Sequence, residues 1–268
     1  MRHFLCVIAI AATGLAAVPA TAGIGDLLVA PTRVILNGGR GTEIILKNVG
    51  EGTATYRISA ELRRMSVDGK LVEVTDANAL EKAAQEMVVF APRKVTLPPN
   101  QPQAIRISAR APAGLADGEY RVHLLFRAIP DPKPVSDPKA ASGLAFQLIP
   151  IYGVTIPVIV RLGNLTAKAG IADVHPVGKP GEDGVSIQLS RQGERSVYGE
   201  IRVLKAGVKD PIAATKGVAV YTEINGRTII VPRAKDYAGA LTGPVTVQFY
   251  ENSDNGPILS AETTAVLR

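Results

Sequence analysis

The chain is poor in the residues on which most protein chemistry depends. Its 268 residues contain one cysteine, three histidines and no tryptophan. The cysteine, Cys6, lies in the apolar N-terminal segment, so disulfides, thiol catalysis and cysteine-ligated zinc are excluded for the rest of the chain. His123 and His175 are isolated from other candidate ligands, and each is predicted to be a strand or surface residue. We therefore expect no metal site and no cofactor.

Catalytic motifs are also missing. The sequence has no GxSxG elbow and no HExxH pair, and its carboxylates are scattered. The glycine-rich stretch from Gly38 to Gly41 is not followed by a Lys-Ser/Thr pair or by a helical pattern, so it indicates a hairpin and not a phosphate loop. The sequence therefore predicts a protein that is not an enzyme.

The charge and the aromatic content argue against two classes of partner. The chain has 30 Lys and Arg against 24 Asp and Glu, and the cations are spread without a basic run or a basic helix. This distribution is typical of a solvated surface and argues against nucleic acid. Aromatic residues make up 4% of the chain, which weakens the hypothesis of a carbohydrate-binding sandwich, because sugar faces favour aromatic platforms.

The N-terminus is typical of a secretory signal. Met1-Arg2-His3 precedes an apolar run from Phe4 to Val18, and Ala20-Thr21-Ala22 fits the small-x-small cleavage pattern. We predict cleavage after Ala22 and export of the mature chain. The alternative is an uncleaved anchor, but the apolar run is shorter than the about 20 residues that span a bilayer. No later segment is apolar for long enough to cross a membrane, so we expect no membrane insertion of the mature chain.

The remaining sequence favours an all-β fold. Helical periodicity is almost absent, and 26 Gly and 19 Pro separate short β-rich runs. Two sets of about seven strands predict two antiparallel sandwiches with a boundary near Leu162–Lys168. A single helix is predicted over Ala77–Glu86, capped by Thr75 or Asp76. The candidate strands are Leu27–Leu36, Glu43–Lys47, Thr55–Arg64, Leu71–Val74, Met87–Phe90, Ala104–Ser108, Tyr120–Ala128, the long segment described next, Gly170–Val177, Val185–Ser190, Val197–Leu204, Gly217–Thr222, Thr228–Val231, Val245–Tyr250 and Ile258–Val266.

The segment from Gly143 to Arg161 is the most informative part of the chain. Every even position from 144 to 160 is apolar, which predicts a strand with one apolar face, about three times the usual strand length. One sandwich cannot cover such a strand, so its first part should present an apolar edge to another molecule. Pro150 and Pro157 have opposite parity, which predicts a bulge near Gly153. The even residues expected in the chain's own core are Val154, Ile156, Val158 and Val160.

Three blocks of the sequence together resemble the periplasmic pilus (fimbrial) chaperones of the PapD-like type. VVFAPRKVTLPPNQPQAIRI over Val88–Ile107 is similar to that family's apolar strand, proline turn and following strand. LADGEYRVHLLFRAIP over Leu115–Pro130 is similar to a second family block. The alternating strand that ends at Arg161 is similar to the third.

This resemblance implies a fold, a function and partners. Family members have two immunoglobulin-like domains in an L-shaped arrangement, here predicted at residues 23–162 and 163–268 after a signal peptide at 1–22. They bind pilin subunits in the periplasm and lend them an edge strand, which is called donor-strand complementation. The partners implied for this chain are therefore pilin-like subunits and an outer-membrane usher, and the implied location is the periplasm. Main-chain hydrogen bonds supply affinity in such β-augmentation. The donor-strand face would be Leu144, Phe146, Leu148, Pro150 and Tyr152.

The resemblance also implies two charged sites. The family anchors the carboxylate of the subunit with an Arg, which matches Arg33, and a Lys, whose place Pro157 occupies. A single guanidinium can still bind a carboxylate through two hydrogen bonds. The family's interdomain ion cluster would consist of Glu119, Arg161 and Asp254. For Asp254 a hairpin turn is the alternative, because Asp254-Asn255-Gly256 is a strong turn signal.

Two further expectations remain open. A secreted structural or adhesive protein that kept the two sandwiches and lost donor-strand chaperoning is the alternative function, favoured by Pro157 and by the proline-interrupted strand. Because an exposed edge strand invites pairing, the free protein could also self-associate through that edge.

Overall fold

The computed structural model of the chain describes residues 26–38, 40–130, 151–178 and 183–268. The predicted signal segment lies outside these ranges, as do four members of the predicted donor-strand face, namely Leu144, Phe146, Leu148 and Pro150. Within the described ranges no helix is long and apolar enough to cross a bilayer. The described residues form mainly β-strands in two sandwiches, which confirms the predicted fold class.

The N-terminal sandwich contains the first eleven strands and the one described helix. The elements are β1 (Leu27–Ala30), β2 (Val34–Asn37), β3 (Thr42–Asn48), β4 (Ala54–Glu61), β5 (Arg63–Met65), β6 (Leu71–Glu73), α1 (Ala79–Met87), β7 (Val88–Ala91), β8 (Lys94–Leu97), β9 (Pro102–Ala109), β10 (Gly118–Ile129) and β11 (Gly153–Leu162). The two sheets have the strand orders β1-β3-β9-β7 and β2-β11-β10-β4-β8, and β5 and β6 form a separate hairpin.

The C-terminal sandwich contains the other seven strands. The strands are β12 (Ala167–Val177), β13 (Gly184–Gly193), β14 (Val197–Leu204), β15 (Ala213–Val220), β16 (Gly226–Pro232), β17 (Gly243–Ser253) and β18 (Gly256–Leu267). They form two sheets with the orders β12-β13-β16 and β15-β14-β17-β18. Each sandwich has its own cluster of buried apolar side chains. The expected domain boundary after residue 162 falls at the end of β11 and stays a prediction.

The first predicted strand is two strands in two different sheets. β1 pairs with β3, whereas β2 pairs in parallel with β11. Pro31 lies between them, and proline cannot donate a hydrogen bond to a continuing ladder. The chain therefore changes sheets at this point, which places Arg33 directly before β2.

The predicted helix exists, but its cap is not Thr75 or Asp76. Asn78 is the N-cap: its side chain accepts from the backbone N–H of Glu81, and the Glu81 side chain accepts from the backbone N–H of Asn78. This reciprocal pair is a capping box. The Asn-x-x-Glu spacing in the sequence carried this signal and was missed.

β11 is regular in the part that the structure describes. Its ladder with β10 runs without a register shift from Leu162 to Gly153, so the bulge predicted near Gly153 is absent there. The register of the segment that contains Pro150 lies outside the described residues. The even residues pack as expected: Ile156, Val158 and Val160 are buried in the N-terminal core, and Val154 packs against it.

Candidate functional site

The first half of β11 has an open edge. β10 pairs with β11 from Gly153 to Leu162, whereas β2 pairs on the other side only from Val158 to Arg161. Within the described residues, the edge of β11 from Gly153 to Pro157 therefore has no neighbouring strand. Tyr152 extends this line, since its carbonyl accepts from the N–H of Ala128 at 2.9 Å, and its side chain is 56% exposed. Tyr152 is the one described member of the predicted donor-strand face.

Arg33 lies where this open edge meets β2. Val34 lies opposite Val158, so the preceding residue, Arg33, is level with Pro157. Its Nη1 donates to the hydroxyl of Tyr221 and its Nη2 to the hydroxyl of Ser196, both at 3.2 Å. Burial lowers the pKa of Arg33 below its ordinary value, an effect that nearby Tyr221 and Glu119 oppose. Among the described residues, no carboxylate pairs with this guanidinium.

Tyr221 connects Arg33 with a second arginine. The guanidinium carbon of Arg121 lies 3.7 Å from the centroid of the Tyr221 ring, and that of Arg33 lies 5.4 Å from it. Cations close to a tyrosine ring are attracted by its negative face. Arg121 also forms an ion pair with Glu223, with Nη1 and Oε2 3.1 Å apart. These contacts could not be predicted from the sequence, because the partners are about a hundred residues or more apart.

Two members of the predicted ion cluster are in contact. Arg161 Nε lies 3.0 Å from Glu119 Oε2, and the Glu119 side chain is 1% exposed. The same oxygen accepts from the backbone N–H of Ser196 at 3.1 Å. A buried carboxylate on the N-terminal sandwich thus binds the backbone of the C-terminal sandwich.

Asp254 lies elsewhere. It is exposed in the hairpin turn between β17 and β18 and has no ion pair with any described residue. This is the position that the alternative interpretation, a hairpin turn, predicts for Asp254. Gly256 in the same turn has a φ of 104°, a value that favours glycine. On this side of the interface the structure instead pairs Arg195 with Glu251.

The β5–β6 hairpin makes a further bridge that the sequence did not predict. The backbone N–H of Met65 donates to Glu223 Oε1 at 2.7 Å. Met65 is buried with Ile159 of β11 and with Tyr221 in a small apolar cluster between the sandwiches. At the tip of the hairpin, a Cβ added to Gly69 would overlap the guanidinium of Arg227. The hairpin therefore forms part of the interface between the sandwiches, through contacts with residues that are distant in the sequence.

His123 lies on β10 opposite Pro157 and is fully buried. Neither of its ring nitrogens has a hydrogen-bond partner among the described residues. Burial, with smaller contributions from Arg121, Arg63 and Arg33, lowers its pKa to about 3. The ring is therefore neutral near pH 7. No group of three or more His, Cys, Asp or Glu in the described part of the chain could hold a metal ion.

Comparisons with known proteins show similarity in fold and none in sequence family. No protein-family model matches the chain, and no curated protein matches its sequence. The chain is similar over nearly its whole length to solved pilus chaperones. The E. coli chaperone DraB is 16% identical, with 92% of this chain and 98% of DraB covered and a TM-score of 0.48.

Two other solved structures are similar to the same degree. A Salmonella enterica SafA pilin in complex with the SafB chaperone has 17% identity, coverage of 92% and 99% and a TM-score of 0.47. The Pseudomonas aeruginosa CupB2 chaperone has 14% identity, coverage of 89% and 98% and a TM-score of 0.46. Because identity is low and each TM-score is below 0.5, we base no functional conclusion on them.

Proposed function

We propose that the chain is a periplasmic chaperone that binds pilin-like subunits by donor-strand complementation and passes them to an outer-membrane usher. A single observation carries this proposal. The open edge of β11 ends beside Arg33, a half-buried arginine that has only neutral hydroxyl partners among the described residues. Exposed main-chain donors and acceptors beside an available cation suit the terminal segment of another chain.

The direction of that segment follows from charge. A strand on the open edge of β11 would lie in line with β2, which runs parallel to β11. If it also runs parallel, its C-terminal carboxylate meets Arg33. If it runs antiparallel, its other end is nearest to Arg33, and an N-terminal ammonium there would be repelled. Arg33 therefore favours a parallel strand whose C-terminus lies beside the Arg33 guanidinium.

The apolar side chains of the proposed donor-strand face supply the rest of the affinity. Burying one large apolar side chain is worth about 1.5–3 kcal/mol. Three or four such anchors would exceed the ordering costs of a single extended segment. The proposed anchors are Leu144, Phe146, Leu148 and Tyr152, with Pro150 on the same face.

Arg33 would act without the lysine of the resembled family, since Pro157 occupies that place. A planar guanidinium can bind a carboxylate with two parallel hydrogen bonds. Its present partners, the hydroxyls of Tyr221 and Ser196, are neutral, and a charged acceptor makes the stronger hydrogen bond. The buried pair of Glu119 and Arg161 would fix the relative position of the sandwiches. This function involves no catalysis, cofactor or metal.

A secreted structural or adhesive protein is the second candidate. The observation that favours it is that Arg33 already binds the C-terminal sandwich through two hydrogen bonds and lies 4.5 Å from the Tyr198 ring centroid. On this hypothesis Arg33 stabilises the interface and binds no subunit.

The test is a pull-down of the tagged mature chain from its native periplasm, with mass spectrometry of the retained proteins. We expect the wild type to retain small exported β-rich subunits and Leu148→Asp to lose them. The matched control is Ile258→Asp, which places the same charge on an exposed apolar residue of the C-terminal sandwich. Arg33→Ala should weaken retention. If no subunit is retained, or if Leu148→Asp retains the same proteins as the control, the structural hypothesis replaces this one.

A further inference from the structure

We propose that three exposed cations on the outer face of the N-terminal sandwich dock an acidic surface of the same subunit that pairs with β11. The cations are Arg57, Arg127 and Lys94, called the basic row below. The proposal rests on the proposed function, because the subunit must first use the open edge. It adds a second surface on the same sheet, formed by residues outside the proposed donor-strand face.

The strand register places the three cations side by side. Arg57 of β4 lies opposite Arg127 of β10 on one side and opposite Lys94 of β8 on the other. Residues opposite each other in an antiparallel ladder have their side chains on the same face, with Cβ atoms about 4.5–5.5 Å apart. All three are exposed, whereas their neighbours Tyr56 and Phe126 point into the core.

The basic row has no acidic neighbour on this face. The next cross-strand pairs on either side are Thr55 with Thr96, whose hydroxyls are 2.9 Å apart, and Leu125 with Ser59. None of the ion pairs among the described residues includes a member of the basic row. Like charges placed directly opposite each other destabilise a sheet. The free chain therefore carries a local cost that an acidic partner would relieve.

The basic row begins beside the open edge. Gly153, the first residue of β11, lies opposite Arg127 and has no side chain to stand between the edge and that guanidinium. Adjacent strands are about 4.8 Å apart, so a strand added to β11 would lie about 10 Å from the Arg127 backbone. This is about one Debye length at 0.1 M salt. A subunit on the open edge thus comes within electrostatic range of the basic row.

The expected effect is on the rate of association more than on dissociation. Complementary charge at the rim of an interface raises the association rate constant and makes it depend on salt. A subunit with carboxylates on the matching face would be steered to the open edge by the basic row, and β11 and Arg33 would then hold it.

The test uses the subunit that the wild type retains in the pull-down. Its association rate constant is measured between low and high NaCl for the wild type and for Arg57→Gln/Arg127→Gln/Lys94→Gln. We expect a loss of about tenfold at low salt that disappears at high salt. The matched control, Arg40→Gln/Arg106→Gln/Arg110→Gln, removes the same net charge from exposed positions in or beside β3 and β9 and should change the rate less than about twofold.

The outcomes separate this proposal from the proposed function. If Leu148→Asp abolishes binding but the basic-row variant behaves like the control, only this proposal fails. If the wild type retains no subunit, the proposed function fails and this proposal fails with it. If phosphatidylglycerol vesicles bind the wild type and not the basic-row variant, the surface binds anionic lipid and the docking proposal is overturned.

The thermal stability of the free protein gives an independent readout. Removing like charges that face each other should raise the midpoint of unfolding of the basic-row variant at low salt, and NaCl should raise the wild-type midpoint towards it. A lowered midpoint would show that another segment of the chain, such as residues 131–150 with Asp131 and Asp137, already neutralises the basic row. That result would overturn the proposal.

Discussion

The two ends of the outer face of the β2-β11-β10-β4-β8 sheet differ in whether their cations have carboxylate partners. At the cleft end, which contacts the C-terminal sandwich, arginines are matched with glutamates: Arg63 with Glu61, Arg121 with Glu223 and Arg161 with Glu119. At the far end, Arg57, Arg127 and Lys94 are exposed and have no carboxylate partner among the described residues.

The difference follows from the cost of desolvation. A charge removed from water needs a partner, because an unpaired buried ion is penalised by several kcal/mol, whereas an exposed charge is stabilised by solvent. The cleft end is therefore neutralised within the chain, and the far end can remain cationic until a partner covers it. Arg33 stands between the two cases: it is half-buried and has only hydroxyl partners. This intermediate state suits the carboxylate anchor that we propose for Arg33.

The largest effect is expected from breaking a matched pair at the cleft end. Glu119→Ala would leave Arg161 without its carboxylate and the Ser196 N–H without its acceptor. Removing one partner of a buried pair costs about 3–5 kcal/mol of unfolding free energy, and partial exposure of Arg161 favours the lower value. Urea denaturation of the mature chain measures this loss.

The control for this change is Glu43→Ala, which breaks the pair of Glu43 with Arg106 on the other sheet. Both side chains of that pair are at least half exposed, so we expect a change close to zero. Equal losses of unfolding free energy for Glu43→Ala and Glu119→Ala would mean that burial does not distinguish the two ion pairs. The explanation of the two ends of the sheet by desolvation would then be wrong.

The next effect concerns pH and the buried His123. Its pKa is about 3 in the folded chain, against about 6.5 in an unfolded chain. The unfolded state therefore binds more protons between these values, and stability must fall as pH decreases below about 6.5. Between pH 7 and pH 5 the expected loss is about 2 kcal/mol. His123→Gln should remove this dependence.

The pH range isolates this histidine from the carboxylates. The groups that face it are Glu61 opposite on β4 and the cations Arg33, Arg63 and Arg121. A carboxylate with a pKa of about 4 is mostly ionised at pH 5 and above. Denaturation midpoints at pH 7, 6 and 5 therefore test the prediction, with His175→Gln, on the exposed part of β12, as the control. A wild-type midpoint that does not fall over this range would contradict a neutral buried His123.

A smaller effect on stability distinguishes the contribution of the Tyr221 hydroxyl from that of its ring. Tyr221→Phe keeps the ring beside Arg33 and Arg121 but removes the acceptor of one Arg33 hydrogen bond. The expected loss is about 1 kcal/mol, because Arg33 keeps a buried donor without a partner. The matched control is Tyr56→Phe, since the Tyr56 hydroxyl is buried without a partner among the described residues and its removal should be neutral or stabilising. Equal losses would show that Tyr221 does not hold Arg33.

Local periodicity was sufficient to predict most strands, the core face of β11 and the position of α1. These features depend on residues close together in the chain, such as the alternation from Val154 to Val160. Glu119 and Arg161 are in contact in the structure, and the sequence placed them together only through a family resemblance. β8 was missed, and Pro31 was placed inside a strand that it in fact divides.

The remaining features depend on register and on contacts between distant segments. The basic row exists because Arg57 lies opposite Arg127 and Lys94. Alternation within each strand predicts the face on which a residue lies, but it does not identify the residue opposite it on a strand far away in the sequence. The contact of Arg33 with Tyr221 spans 188 positions. The proposed anchor Arg33 could therefore be named from the sequence, but its hydroxyl partners could not.

The smallest effect is expected at Asp254, where the two alternatives from the sequence make opposite predictions. If Asp254 were a member of a buried ion cluster, its replacement would lower the free energy of unfolding about as much as the replacement of Glu119. If Asp254 is an exposed hairpin residue with no ion pair among the described residues, its replacement should lower the free energy of unfolding by less than about 0.5 kcal/mol. We expect the second outcome for Asp254→Asn, which keeps a residue that suits the turn. A loss of several kcal/mol in urea denaturation would return Asp254 to the interdomain cluster and show that the cleft end needs a third carboxylate on the C-terminal sandwich.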